Sequence, residues 1–244
     1  MKKLQLLFLL CVVTLVGSCH KKDKETTTVI TPNSFLSSSQ YEKLIIEIQQ
    51  VSGYELTDQT INNLVSFLEQ RLNKPGGIQV VKTTVGSGGK SVWSLSDLAD
   101  HEKANRTQIT SGNTITAYFY VVDGEYTEST STSKILGIAY SSSAMAIFGK
   151  SIQIYANQPG QPSPTAIETT VIEHEFGHIL GLVNNGTSMQ VNHQDTDNGK
   201  HCNNTSCLMY YNINSSESMT SILNGGIPSL DNNCINDLQA NGGK

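Results

Sequence analysis

The pattern of apolar and polar positions predicts alternating strands and helices in the first half of the chain. Alternation over Lys43–Ile48 favours a strand, with a helix as the alternative, and Ile78–Val85 favours a second strand. Between them, Thr57 is a good N-cap for a helix whose apolar residues recur every three or four positions, and Pro75–Gly77 stops it. Ser94–Asn105 predicts another short helix.

Three β-rich runs follow, at Thr114–Val122, Lys134–Tyr140 and Ala146–Tyr155, and a polar loop over Thr127–Ser133 separates the first two. The order of elements predicts a mixed α/β (α+β) domain with a twisted sheet. We expect Ala146–Tyr155 to be the edge strand, and an extended peptide can be aligned there by adding to the sheet.

A longer helix is predicted next. Ser163 is a plausible N-cap, Pro164 takes the first helical position, and the helix extends from Ala166 to about Leu182. Gly181 is expected to end it by adopting a backbone conformation that other residues resist.

The candidate chemistry lies in this helix, in the stretch HEFGHILG. His174 and His178 stand one turn apart on one side of the helix, so both imidazoles can point at one Zn²⁺. Glu175 can then act as the general base on a water activated by the metal. The spacing predicts a hydrolytic zinc site.

A catalytic zinc needs a third protein ligand, and the residues alone leave several candidates. Asn184 follows Gly181 by three positions but is a weak neutral ligand, and Glu217 lies in a stretch that forms a poor helix. His193 and His201 remain as the downstream histidines.

The context of His201 is more specific. The segment from His201 to Tyr211 reads HCNNTSCLMYY, and with the HExxHxxG motif it resembles the archaemetzincin family of the metzincin clan. The resemblance is specific over Ile172–Tyr211. It implies a zinc metallopeptidase with a metzincin-like twisted sheet, an active-site helix and a smaller irregular C-terminal subdomain.

Carried over position by position, the resemblance implies roles for six residues. The implied zinc ligands are His174, His178 and His201, the implied general base is Glu175, and the implied Met-turn residue is Met209. Tyr211 stands where some other metzincins place a Tyr near the metal, from which it can hydrogen-bond the developing oxyanion.

The chain departs from this family in the spacing before His201. Residues 183–200 form an insert that must loop out and return to deliver His201. His193 in that insert is the alternative third ligand, and His201 would then lie outside the coordination sphere. We favour His201.

The cysteines also depart from the family, which carries a Cys₄ structural zinc. Only Cys202, Cys207 and Cys234 remain after Cys19, and Asp237 stands where the last Cys would be. In an exported protein this favours a Cys202–Cys207 disulfide with Cys234 unpaired. A Cys₃Asp zinc site is the alternative.

The N-terminus predicts export and a lipid anchor. Residues 1–18 carry two lysines and a short apolar run, as in a signal peptide, and the run ends in Val-Gly-Ser before Cys19. This resembles a bacterial lipobox with Cys19 as the lipidated residue, and an ordinary secretory signal is the alternative. We expect residues 19–40 to be a flexible tether and the protein to be held at the bacterial cell envelope, with the outer membrane or cell surface favoured.

Composition narrows the class of protein. The 244 residues are 37% hydrophobic and 15% charged, with a formal net charge of −5, which argues for a packed core and against nucleic-acid binding. We expect one domain over 41–244, with subdomains at 41–182 and 183–244, in a monomer.

The sequence therefore predicts a membrane-anchored zinc metallopeptidase that acts on peptides or proteins. The alternatives are a non-catalytic surface lipoprotein that binds glycans or peptides with a vestigial metal site, and a hydrolase with a substrate other than a peptide. The intact Glu175 speaks against the first, because binding alone needs no general base.

Overall fold

The computed structural model describes residues 29–216, 219, 223 and 226–244. The predicted signal peptide, Cys19 and Glu217 lie outside the described residues. Among the helices described, none combines the length and apolar character needed to span a bilayer.

A five-stranded sheet forms the centre of the domain. In chain order the strands are β1 (Lys43–Val51), β2 (Ile78–Val85), β3 (Val92–Trp93), β4 (Thr114–Val121), β5 (Glu125–Tyr126), β6 (Gly137–Ser141), β7 (Ala144–Ile147), β8 (Gln194–Asp195) and β9 (His201–Cys202). The sheet order is β2-β1-β4-β7-β6. All neighbours pair in parallel except β6, which runs antiparallel to β7 at the edge. β3 pairs with β5 and β8 with β9 in two small ribbons.

The described helices are α1 (Pro32–Leu36), α2 (Asp58–Glu69), α3 (Leu95–Asn105), α4 (Gly149–Ala156), α5 (Pro164–Ile179) and α6 (Asn232–Ala240). Two short 3₁₀ helices lie at Thr196–Asn198 and Tyr211–Asn214. The mixed α/β fold class predicted from the sequence is confirmed.

The central strands are buried on both faces, as is usual for parallel strands. Since successive side chains of a strand point to opposite faces, β4 supplies two separate cores. Phe119 joins the larger core with α2 and α5, where it packs edge-on against Phe176. Tyr118 and Tyr120 join the smaller core with Trp93.

Hydroxyl side chains cap the starts of α2, α3 and α5, as the sequence predicted for Thr57 and Ser163. The hydroxyls of Thr57, Ser94 and Ser163 each accept a hydrogen bond from the backbone N–H three residues later. Pro164 occupies the first position of α5. These starts are confirmed because a cap depends on only a few neighbouring residues.

The prediction of a single strand over Ala146–Tyr155 is wrong. β7 ends at Ile147 and α4 begins at Gly149. A strand would place Ile152 and Ile154 on one face, whereas the helix buries Ile152 at 1% exposure and leaves Ile154 54% exposed. β7 lies inside the sheet, whose two edge strands are β2 and β6.

The predicted tether is also wrong over its described part. α1 lies within it and buries Phe35 and Leu36 completely. Phe35 packs edge-on against Phe176 of α5, with ring centroids 5.9 Å apart. The sequence around α1 is polar, but one turn of helix is enough to deliver two large apolar side chains to the core.

Lys74 binds the segment around α1 to the rest of the domain. Its buried ammonium donates to the carbonyl oxygens of Ser34, Ser37 and Tyr41 at 2.9, 2.5 and 2.7 Å. One charged donor therefore satisfies three carbonyl groups in the chain around α1.

We expect Lys74→Met to lower the free energy of unfolding by about 2–4 kcal/mol, because it leaves these carbonyls without a donor. Lys82→Met is the matched control, since Lys82 is exposed and pairs only with Asp58 at the surface. Denaturant unfolding of both variants measures the difference. Equal stabilities would contradict the anchoring role of Lys74.

Candidate metal centre

Helix α5 carries the candidate site into the core. His174 is fully buried and Glu175 is 1% exposed. The helix ends in a Schellman motif, in which the N–H of Gly181 donates to His178 O and the N–H of Leu182 donates to Gly177 O. Gly181 has φ +74°, as predicted, and lies close to Pro32 of α1.

The structure brings three histidines together. The ring nitrogens of His174, His178 and His201 all lie within 4.8 Å of one another. The two Nε2 atoms of His174 and His178 are 3.1 Å apart, near the roughly 3.3 Å that two nitrogens have in a tetrahedral zinc site. The insert over 183–200 therefore does return the chain to deliver His201.

Two backbone carbonyls orient these rings. Nδ1–H of His174 donates to Leu208 O at 2.7 Å, and Nδ1–H of His201 donates to Asn198 O at 2.7 Å. Each neutral ring therefore directs the lone pair of Nε2 at the common centre. Nε2 of His201 is buried and has no hydrogen-bond partner among the described residues, as a ligand atom facing a metal position would.

Burial keeps the histidines neutral. It lowers the pKa of His174 well below its usual range, with further lowering from His178 and His201, and it lowers the pKa of His178 to about 3. The pKa of His201 is also lowered by burial, although the Asn198 carbonyl opposes the shift. Neutral imidazole is the form that binds a metal ion, so the donor set fits zinc.

Glu175 follows His174 directly in α5 and is buried beside β6. Its Oε2 accepts the N–H of Ala139 in β6 at 2.7 Å, and its Oε1 is buried without a partner among the described residues. Burial raises the pKa of Glu175 to about 8 against the opposing effect of that N–H. One carboxylate oxygen is thus held by the edge strand while the other is available for proton transfer.

Gly137 of β6 allows this contact. A Cβ atom there would come within 2.4 Å of Val171 and 3.0 Å of the Glu175 side chain. The edge strand can therefore approach α5 closely enough for the Ala139 N–H to reach Glu175. Sequence reasoning missed this residue, because nothing local to Gly137 indicates its neighbour in the fold.

Met209 packs against helix α5 at Gly177. Its side chain is fully buried, and a Cβ on Gly177 of α5 would come within 2.3 Å of its sulfur. A glycine inside a helix lowers its stability by about 1 kcal/mol relative to alanine. Gly177 inside the predicted helix was therefore a signal, not used in the sequence analysis, that another group packs closely here. The role of Met209 as the Met-turn residue stays a prediction.

Tyr211 begins the 3₁₀ helix that packs against α5, and its ring lies 4.7 Å from the ring of Tyr210. Its role at the metal stays a prediction. A cavity of about 320 Å³ opens beside His178 and is lined along one side by β6 and the residues that follow it. Pro32 of α1 lines the same cavity.

The cysteines form a second cluster. Cys202, Cys207 and Cys234 are all buried free thiols, so the predicted Cys202–Cys207 disulfide is absent. Sγ of Cys207 lies 3.6 Å from Sγ of Cys234, and hydrogen bonds from Cys202 and then Cys234 hold the pKa of Cys207 below its usual range. Cys234, expected to be alone, therefore lies among the other two.

His193 completes this cluster instead of the three-histidine site. Its Nδ1 lies 3.3 Å from Sγ of Cys202, and its Nε2 lies 2.8 Å from Oδ2 of Asp237. Asp237, the fourth ligand of the Cys₃Asp alternative, thus contacts a histidine. The sequence could not reveal this pair because 44 positions separate the two residues.

No family model matches the sequence, and no curated protein matches it. Solved structures of similar fold include archaemetzincin from Methanopyrus kandleri, with 13% identity, coverage of 83% of this chain and 96% of that chain, and a TM-score of 0.49. A zinc-dependent peptidase from Methanocorpusculum labreanum has 13% identity, coverage of 79% and 99%, and a TM-score of 0.49.

Metalloproteinase-II from Bacteroides fragilis has 15% identity, coverage of 83% of this chain and 54% of that chain, and a TM-score of 0.43. All three TM-scores are below 0.5. The chemistry proposed for this chain therefore rests on the arrangement of its own residues.

The packing of Gly177 on Met209 can be tested by a double-mutant cycle. We expect Gly177→Ala to destabilise the protein by about 1–3 kcal/mol and to weaken zinc binding, because the new methyl group displaces the Met209 sulfur. In a Met209→Ala background the same change should cost much less. Additive effects in unfolding and zinc titrations would contradict the contact.

Proposed function

We propose that this protein is a zinc-dependent peptidase whose metal is held by His174, His178 and His201. The observation that carries the proposal is the convergence of three imidazole nitrogens, together with the buried Glu175 next to His174 in α5, whose Oε1 has no partner among the described residues. Three neutral nitrogen ligands leave a fourth coordination position open, which distinguishes a catalytic zinc from a structural one.

Zinc, when bound here, supplies a Lewis acid that polarises a carbonyl and makes a water acidic enough to react at neutral pH. Glu175 acts as the general base, since Oε1 is free to accept a proton while Oε2 is held by Ala139. The protonated Glu175 then delivers the proton to the leaving amine.

The edge strand supports an extended peptide as the substrate. Among the described residues β6 pairs with one neighbouring strand, β7, and the N–H of Ala139 points from the other edge of β6 toward Glu175. A peptide that adds to this edge would pair its backbone with β6 and place a carbonyl beside the three histidines. Tyr211 is proposed as the hydrogen-bond donor to the developing oxyanion.

Glu175→Gln separates catalysis from metal binding. We expect it to retain zinc but to lower kcat for a cleaved peptide by about 100-fold or more, because the amide cannot accept the proton. Glu128→Gln, which changes an exposed carboxylate in a loop, is the control. Full activity in Glu175→Gln, measured with a peptide library on metal-loaded protein, would refute the proposed mechanism.

We also propose that Cys19 carries a lipid that holds the protein at the bacterial cell envelope, with the outer membrane or cell surface as the favoured site. This proposal rests on the apolar run and the small residues that precede Cys19 in the sequence.

Cys19→Ala should abolish incorporation of a radioactive fatty acid and move the protein into the soluble fraction, because the acylated thiol is lost. Cys11→Ala, inside the apolar run, is the matched control and should change neither readout. Membrane association that persists without labelling would contradict the anchor.

A further inference from the structure

The β8–β9 ribbon connects the two histidine-containing clusters. His193 directly precedes β8, and β9 consists of His201 and Cys202. The N–H of Asn203 donates to His193 O at 2.9 Å, which closes the ribbon. Adjacent residues of one strand therefore belong to different clusters, His201 to the histidine site and Cys202 to the thiol site.

We propose that His193, held by Asp237, completes a Cys₃His zinc site with Cys202, Cys207 and Cys234, and that this second zinc positions His201 and so sets the metal affinity of the three-histidine site. This inference rests on the proposed function, since it requires zinc at the three histidines. Asp237 is a positioning residue in this scheme.

The distances of the cluster suit a tetrahedral zinc. Zinc–sulfur bonds of about 2.3 Å and zinc–nitrogen bonds of about 2.0–2.1 Å give edges of about 3.8 Å between two sulfurs and 3.6 Å between sulfur and nitrogen. The observed separations are 3.6 Å for Cys207–Cys234 and 3.3 Å for Cys202–His193. All four residues are at most 1% exposed, as in a closed structural site.

The groups around the cluster are arranged for thiolate and neutral imidazole. The backbone N–H groups of Met209 and Asp231 each donate to Sγ of Cys207 at 3.4 Å, which stabilises a thiolate. Oδ2 of Asp237 accepts Nε2–H of His193 at 2.8 Å. That hydrogen bond leaves the lone pair on Nδ1, the atom that faces Cys202.

Asp231 is the competing oxygen donor, with Oδ2 3.4 Å from Sγ of Cys202. Its carboxylate already has other partners. Oδ1 caps α6 through the N–H of Cys234 at 2.9 Å, and Oδ2 accepts from the Asn204 side chain at 3.0 Å. His193 is therefore the better fourth ligand.

Two backbone routes connect the thiol cluster to the catalytic histidines. Cys202 follows His201 directly, and its N–H donates to Met209 O at 2.7 Å. Cys207 precedes Leu208, whose carbonyl orients His174. A zinc ion bound to Cys202 and Cys207 therefore restricts the positions of the His201 and His174 rings before zinc binds to the three histidines.

Metal binding to the full chain tests this inference without using catalysis. We expect two zinc ions per chain, and the cobalt-substituted protein should show thiolate-to-cobalt charge-transfer bands. His193→Gln should weaken or shift these bands and should also lower the zinc affinity of the three-histidine site by about 10–100-fold, measured against a competing chelator. Asp237→Asn should change both readouts in the same direction.

Two further variants separate ligand loss from unfolding. His193→Cys replaces the imidazole by a thiolate. Because Nδ1, the atom of His193 that faces Cys202, lies close to Cβ, the new Sγ can take nearly the same place. This variant should therefore restore the charge-transfer bands and most of the zinc affinity of the three-histidine site. Val191→Ala, at a 60% exposed position just before His193, should leave both unchanged.

Three results would overturn the inference. The first is the absence of thiolate–cobalt bands in the wild type. The second is normal affinity of the three-histidine site in His193→Gln. The third is a single zinc per chain with thiolate bands, which would refute the three-histidine site and the proposed function as well. If the chain binds two zinc ions with coupled affinities but cleaves no peptide, the proposed function alone is refuted.

Discussion

The hydrogen bond from Nδ1 of His174 to the carbonyl of Leu208 is the contact on which the site depends. It fixes the ring of a fully buried histidine and joins α5 to the turn that carries Met209. Without it, a buried N–H would lose its partner at a cost of about 1–3 kcal/mol, and the Nε2 lone pair would lose its direction. The same turn begins at Cys207, so this turn also contributes a residue to the thiol cluster.

The opposite wall of the site depends on the sheet. β6 is the one antiparallel strand of the five, and its position at the edge leaves the Ala139 N–H free for Glu175. Because Glu175 is buried, its charged form is unfavourable, and the pKa of Glu175 is raised. One strand therefore both holds Glu175 and forms an edge of the sheet.

The segment around α1 is not part of the sheet, but it contacts both the core and the end of α5. Phe35 packs on Phe176 in the core, and Pro32 lies beside Gly181, just after the end of α5. The three carbonyl contacts of Lys74 keep this segment in place. The cavity beside His178 is therefore bordered in part by a segment whose composition alone predicts a flexible tether.

The sequence by itself determined the features that depend on near neighbours. The caps of α2, α3 and α5, the stop at Gly181 and the shared face of His174 and His178 all follow from contacts within a few residues. Only the tertiary structure decided the place of α4, the burial of α1, the free thiols and the partner of His193. These depend on contacts between distant segments, such as His193 with Asp237, and a short apolar or polar run is compatible with several such contacts until the chain packs.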